Sequence, residues 1–348
     1  MTGKNSGVVQ RIKAVAPLAV SYHCIIHREA LAARHISEEL HDVLLTAIKI
    51  VNYIKTRSLN TRLFEIICSE MGSEHQHLLF YTEVRWLSRG RVLQRFFELR
   101  NEVSLFLLQK NSVMNVYLCD ATWLAKLAYL VDIFNALNDL NPSLQGRDSD
   151  LFKHMDKVSA FVKKLSQWKL RVEQQRLDMF QYFSEFVAQN PDSSIQEDIS
   201  KIIVNHLKLL EENFVHYFPE DNATKESSWI RSPFTTDITG LTLTAQEEAN
   251  LIELSCDSTL KARFIENSLL SFWMYAYAEY PELASRAISA LLPFSSTYLC
   301  ETGFSAMTAI KTKYRNRLDA HNDLRLSLLM IQPRTDKLVN SMQSHPTH

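Results

Sequence analysis

Ser295-Ser296-Thr297-Tyr298-Leu299-Cys300-Glu301-Thr302-Gly303-Phe304-Ser305, followed by Lys311-Thr312-Lys313-Tyr314-Arg315-Asn316-Arg317-Leu318, is the part of the chain on which the fold turns. The first run opens with three hydroxyl side chains suited to cap a helix start. That helix carries Glu301 in its first turn and Phe304 behind it. The second run gathers Lys311, Lys313, Arg315 and Arg317 with few acids nearby. Such a cluster suits phosphate contact, although most clusters of this kind are solvated faces.

Working outward, composition narrows the class. The 348 residues are 46% hydrophobic, enough for one large core or two modest ones. The formal net charge is -1, so any contact with nucleic acid must come from a local patch rather than a global field. Five scattered cysteines, odd in number, suit a reduced compartment rather than a disulfide scaffold. No apolar run approaches the ~20 residues of a membrane span, and Met1 to Arg11 lacks a signal-peptide core. Only seven glycines occur, where roughly 7% of residues is usual. Tight hairpins need glycine, so the scarcity favours long helices.

Apolar spacing agrees. It predicts helices over Val8–Ala16, Arg28–Lys55, Thr61–Ser69, Ser88–Gln109, Tyr117–Asn138, Asp150–Val187 and Ile195–Tyr217. Asn141-Pro142 and Gly146 read as punctuation after the fifth of these, and Asn190-Pro191-Asp192 as a break after the sixth. Residues 218–244 read as an irregular connector. Beyond it, helices are expected over Ala245–Leu254, Ser258–Phe264 and Asn267–Tyr280, from Pro281 onward, around Glu301, and over Asp319–Met330. Ala19–Ile26 and Leu78–Thr82 are the two strand candidates.

Several short motifs interrupt this pattern. His23-Cys24-Ile25-Ile26-His27 contains Cys-x-x-His, half of a tetrahedral zinc site. No second pair with comparable spacing follows, so Cys24 and His27 read as a structural pair. Thr82-Glu83-Val84-Arg85-Trp86-Leu87-Ser88 places an arginine beside a tryptophan. Trp86 suits either base stacking, worth ~1–3 kcal/mol per base, or a half-buried anchor, and the anchor is the reading favoured. Arg89, Arg91, Arg95 and Arg100 follow with Glu98 and Glu102 among them. Phe272-Trp273, Tyr275, Tyr277 and Tyr280 form an aromatic stripe.

In their order along the chain, these motifs resemble the hAT superfamily of transposases, in the Buster/Charlie branch. The resemblance covers nearly the whole sequence, and the Ser295–Leu318 stretch is its strongest part. It implies an RNase H-like nuclease in which Glu301 is the third metal-binding carboxylate. Met1-Thr2-Gly3-Lys4-Asn5-Ser6-Gly7 matches the segment just after the family's second aspartate, which places both aspartates upstream of Met1. Cys24 and His27 match a structural or near-catalytic pair, and Arg85-Trp86 matches an element able to contact DNA. The region holding Phe272, Trp273 and Phe304 corresponds to the family's dimerisation region. Related domesticated proteins carry BED-finger or SCAN domains, and this chain has no BED finger.

Phosphoryl transfer of this type uses two divalent metals ~3.5–4 Å apart, and magnesium prefers several oxygen ligands. Glu301 alone cannot hold such a pair. Asp42, Asp120, Asp132 and Asp139 lie in helical segments and end no strand, so none replaces a missing aspartate. Glu301 is therefore expected to be vestigial, with no metal, no cofactor and no enzymatic activity. The expected fold is mainly α: a truncated RNase H-like core with one or two remnant strands, a large all-helical insertion and the C-terminal dimerisation region. The expected divisions are 1–87, 88–217, 218–244, 245–333 and a disordered tail, 334–348. The expected function is an interaction and self-association module. The alternatives are a non-specific DNA binder using Arg85, Trp86, Arg89, Lys311, Lys313, Arg315 and Arg317, or a truncated reading frame without stable function. The expected partners are a second copy, DNA or unknown proteins, with no membrane and no small-molecule substrate. The nucleus is the expected compartment, the cytoplasm the alternative.

Overall fold

In the computed structural model the chain is mainly helical, and among the described residues it contains no strand. The residues described are 7–17, 19, 21, 23–80, 88–145, 150–191, 193–219, 227–293, 296–312, 315, 317–329, 334 and 336–337. They fall into two compact units, Met1–Ser295 and Ser296–His348. The first unit holds α1 (Val8–Val15), α2 (Ile25–Ala32), α3 (Glu38–Lys55), α4 (Ser58–Glu70), α5 (Ser88–Glu98), α6 (Arg100–Gln109), α7 (Asn115–Leu118) and α8 (Ala121–Ser143). It continues with α9 (Leu151–Glu173), α10 (Gln181–Gln189), α11 (Ser193–Tyr217), α12 (Ser228–Arg231), α13 (Ala245–Cys256), α14 (Ser258–Glu266), α15 (Leu269–Ala276) and α16 (Pro281–Leu291). The second unit holds α17 (Tyr298–Ile310) and α18 (His321–Leu328).

Helix α8 organises the larger core. Its run Leu127-Ala128-Tyr129-Leu130-Val131 is buried on every side, as expected of a helix apolar around its whole circumference. α3, α5, α9, α10 and α11 all pack against it. α9 and α11 run antiparallel: Phe161 meets Phe214, and Ser166 bonds Glu211. Helix α3 shows why the local sequence folds as it does. Leu40, Val43, Leu44, Ala47, Val51 and Ile54 form its buried stripe, Glu38 and Glu39 sit at its positive end, and Lys55 sits at its negative end.

Both strand candidates require correction. Ile25 and Ile26 begin α2 rather than end a strand, and Ile25 is buried in the core. Leu78 is a single buried anchor in an irregular segment, and Leu79 packs against the core beside it. A short apolar run does not by itself distinguish strand from helix. Residues 18, 20, 22 and 81–87 lie outside the described residues, as does most of the 334–348 tail.

Several long helices are also shorter than their periodicity predicts. The run from Arg28 breaks after Ala32, and Ser37 takes the N-cap position of α3 with Glu38 and Glu39 behind it. Leu99 interrupts the Ser88–Gln109 run, and Asp120 restarts the next helix by accepting the Thr122 and Trp123 amides. Helix α8 then continues through Pro142 to Ser143. The Asp150–Val187 run stops at Gln174, with Gln175 at φ +60°. There the Arg176 amide reaches back to the Arg171 carbonyl. The same closure occurs at Gly72 and Asn111. Glycine adopts this left-handed conformation freely, whereas glutamine does so under strain.

The larger core runs without interruption from Ile25 to Phe218. The expected division at residue 87 is thus not a boundary in the packing, because α2, α3 and α4 share a core with α5–α11. A second core is built from residues of 227–293 and recruits Phe152 from α9. Its centre is an aromatic group in which Trp229 meets Trp273 edge-on, and Phe264 meets Phe272 in the same way. The Trp273 indole N–H donates to the Ile230 carbonyl at 2.8 Å, which fixes α12 in the connector. Thr244 and Glu247 form a reciprocal capping box on α13, and Arg286 pairs with Glu247 at 3.0 Å.

Candidate functional site

Glu301 lies in the first turn of α17, exposed to solvent. Its carboxylate accepts the Thr297 hydroxyl at 3.0 Å. An acid here is favoured by the helix dipole. Of the three hydroxyl residues predicted to cap this helix, Ser295 lies outside the described residues. Thr297 is the N-cap residue but makes no side-chain cap bond. The Ser296 hydroxyl instead lies 3.4 Å from the Tyr298 amide. Among the described residues, no group of three His, Cys, Asp or Glu side chains is placed to hold a metal ion. Lys311, Arg315 and Arg317 are exposed beyond the end of α17, and Lys313 lies outside the described residues.

Two of the acids considered as replacements, Asp120 and Asp132, cap helices. Asp120 caps α8, as described above. Asp132 sits in the middle of buried α8 and accepts the amides of Tyr182 at 3.1 Å and Phe183 at 2.9 Å. It thereby caps α10, whose own N-cap residue, Phe180, has no side-chain oxygen. Burial raises the Asp132 carboxyl to about 7, against the opposing pull of these amides.

Arg95 of α5 and Arg100 of α6 are engaged within the fold. Arg95 lies 3.4 Å from Glu98 and donates to the His77 carbonyl. Arg100 lies over the Phe97 ring at 4.5 Å and donates to the Phe97 carbonyl. Burial lowers its pKa. Arg89 is half-buried and Arg91 exposed, while Arg85 and Trp86 lie outside the described residues.

Cys24 is the N-cap residue of α2, and the rings of His23 and His27 lie 5.0 Å apart around it. The next two side chains fasten α2 to the ends of two long helices. Arg28 donates from Nε to the Tyr217 carbonyl at 2.6 Å and lies over the Phe218 ring, closing α11. Glu29 is fully buried and accepts the Asn141 amide at 2.9 Å, while Gln145 donates to Asn141. The other Glu29 oxygen has no hydrogen-bond partner among the described residues. Burial raises the Glu29 carboxyl to about 7. Deeper in the core, the Tyr129 hydroxyl and His206 Nδ1 are 2.8 Å apart. Burial lowers His206 to about 4 and keeps it neutral.

The aromatic stripe divides in a way that corrects its expected role. Phe272 and Trp273 are wholly buried in their own chain's core, which removes them from any surface. Met274, Tyr275 and Tyr277 are the exposed members of that segment, with Arg263 stacked on Tyr275 at 4.1 Å. Phe304 on α17 is 64% exposed.

Sequence reasoning did not single out Glu29, whereas the apolar spacing of Ile195–Tyr217 does place His206 in line with Ile199, Leu210 and Phe214. Asp132 did carry a legible signal, since an acid inside Leu130-Val131-Asp132-Ile133-Phe134 needs an internal partner.

Residues 23–173 match the family model described as the FAM200/GTF2IRD2 helical domain. The match spans α2 to α9 and so lies inside the larger core. No solved structure matches the chain.

Proposed function

We propose that this chain is a non-catalytic, transposase-derived interaction module that pairs with a second copy of itself through its C-terminal helices. The observation that carries the proposal is the α17–α18 unit. The two helices pack against each other, with Leu328 3.9 Å from where a Cβ on Gly303 would stand, an ordinary contact distance. Yet among the described residues of this unit Ala320 alone is buried. Phe304, Leu326 and Leu329 remain exposed. Two short helices with so little interior do not stabilise themselves. A symmetric partner offers the same apolar side chains in return, which suits a two-fold interface. The hAT resemblance of Ser295–Leu318 favours the same occupant.

The absence of catalysis belongs to the same proposal. On this reading the RNase H-like ancestry survives as the Glu301 motif, without a working nuclease, and the nucleus is the compartment. Two measurements test it. Light scattering over a concentration range is expected to give the mass of two chains, and a single-chain mass at high concentration contradicts the pairing. A nicking assay with Mg²⁺ or Mn²⁺ is expected to show no cleavage. Cleavage that disappears in Glu301→Gln contradicts the non-catalytic reading.

A further inference from the structure

Helix α9 carries a charge that the rest of the chain does not prepare one to expect. Against a formal net charge of -1 for the whole protein, it holds Lys153, Lys157, Lys163, Lys164, Lys169 and Arg171, with Asp156 and Glu173 as its acids. The cations toward its C-terminal end are neutralised within the fold. Lys169 pairs with Glu211 at 3.0 Å, and Arg171 pairs with Asp178 at 2.8 Å. The nearest acid on the same helix is also occupied, because Arg231 binds both oxygens of Asp156. Lys157, Lys163 and Lys164 are left on the solvent face, all exposed, and no ion pair is formed by them among the described residues.

The chemistry around these lysines selects the ligand. Leu170, 48% exposed, lies three residues beyond Gln167, and the half-buried Trp168 packs against the core. Ser159, Ala160 and Gln167 occupy the other exposed positions between Lys157 and Gln167, and none is a large apolar or aromatic side chain. A protein interface is normally centred on such an anchor, and base stacking needs an aromatic platform. What remains is a row of flexible point charges. Lys157 and Lys164 stand two helical turns apart, about 10 Å along the axis. One strand of duplex DNA advances about three phosphates over that length.

We infer that the solvent face of α9 is a contact surface for the phosphate backbone of duplex DNA, read through Lys157, Lys163 and Lys164 without sequence preference. The inference uses none of the residues of α17 and α18 and does not depend on self-association. Three phosphates neutralised give a slope of about -2.7 in log affinity against log salt. Affinity then falls by about 40-fold between about 50 and about 200 mM salt.

Fluorescence anisotropy with a short labelled duplex and the full chain tests this. The expected result is binding at low salt with that slope, and at least a tenfold loss in the triple variant Lys157→Gln, Lys163→Gln, Lys164→Gln. The single variant Lys164→Gln is expected to reduce the slope by about 0.9. Three results overturn the inference. They are no binding of the wild type at low salt, unchanged affinity in the triple variant, and binding to phosphatidylserine vesicles with none to the duplex.

Discussion

The α2–α11 core and the α17–α18 pair are both helical, yet they meet the problem of burial in opposite ways. The first surrounds α8 with other helices and even buries acids, giving Asp132 two backbone donors and Glu29 one side-chain donor. The second brings two helices together and leaves its largest apolar side chain, Phe304, facing outward. The contrast separates a region with a deep apolar interior from one with almost none among its described residues. It also directs attention away from the residues with the most unusual chemistry. Glu29, Asp132 and His206 are perturbed because they are buried inside a scaffold, and perturbed groups occur in structural networks as well as in active sites.

The largest effect that tests the contrast is truncation of a ring in each region. Phe134→Ala, in the middle of α8, is expected to cost about 3–5 kcal/mol, read as a shift in the urea midpoint. Phe304→Ser is expected to leave the stability of the isolated chain within about 0.5 kcal/mol. Equal losses at the two sites would remove the distinction.

Next in size is the buried acid that holds α2. Glu29 titrates at about 7 in the fold, against an ordinary value of 4.5. The folded chain therefore binds the extra proton between those values, and the stability contributed by its neutral form is lost as pH rises through that window. Glu29→Gln keeps the shape without the ionisation. It is expected to be more stable than the wild type by about 3 kcal/mol at pH 8, with little difference near pH 4. His206 acts in the opposite sense, since its value of about 4 in the fold lies below 6.5. Its contribution is lost as pH falls from 6.5 toward 4 and should persist in the Glu29 variant. Denaturant midpoints across pH measure both, and a Glu29→Gln profile parallel to that of the wild type would contradict the assignment.

A smaller effect probes how closely α5 and α8 approach. A Cβ on Gly90 would stand 2.3 Å from Asn138 Nδ2 and 3.2 Å from Phe134 Cβ. Asn138 is able to swing aside, whereas Phe134 Cβ moves only with α8 itself. Gly90→Ala is expected to destabilise by about 1–3 kcal/mol. A stabilised variant would show that the helix-propensity gain outweighs the contact.

Much of this architecture was legible in the sequence. The scarcity of glycine and the 3.6-residue apolar spacing identified a helical chain, and Pro281 marked the start of α16. Helix ends were harder to read because their causes were local or distant. The αL closure at Gln175 uses a residue that seldom takes that conformation, and Asp132 caps α10 from 50 residues away. At the candidate site, Glu301 and the basic residues after it were visible as a motif. The burial of Phe272 and Trp273 was not, since an aromatic stripe looks the same in sequence whether it faces a core or a partner. The lysines of α9 were present in the sequence, but their significance depends on which neighbouring charges are already paired.

Sedimentation velocity on the full chain, beside Phe304→Asp and Leu326→Asp variants, addresses the C-terminal pairing most directly. The account predicts a wild-type species of two chains, and single chains for both variants with the α2–α11 core unfolding at an unchanged urea midpoint. A wild type that sediments as one chain at every concentration, or variants that remain paired, would contradict it.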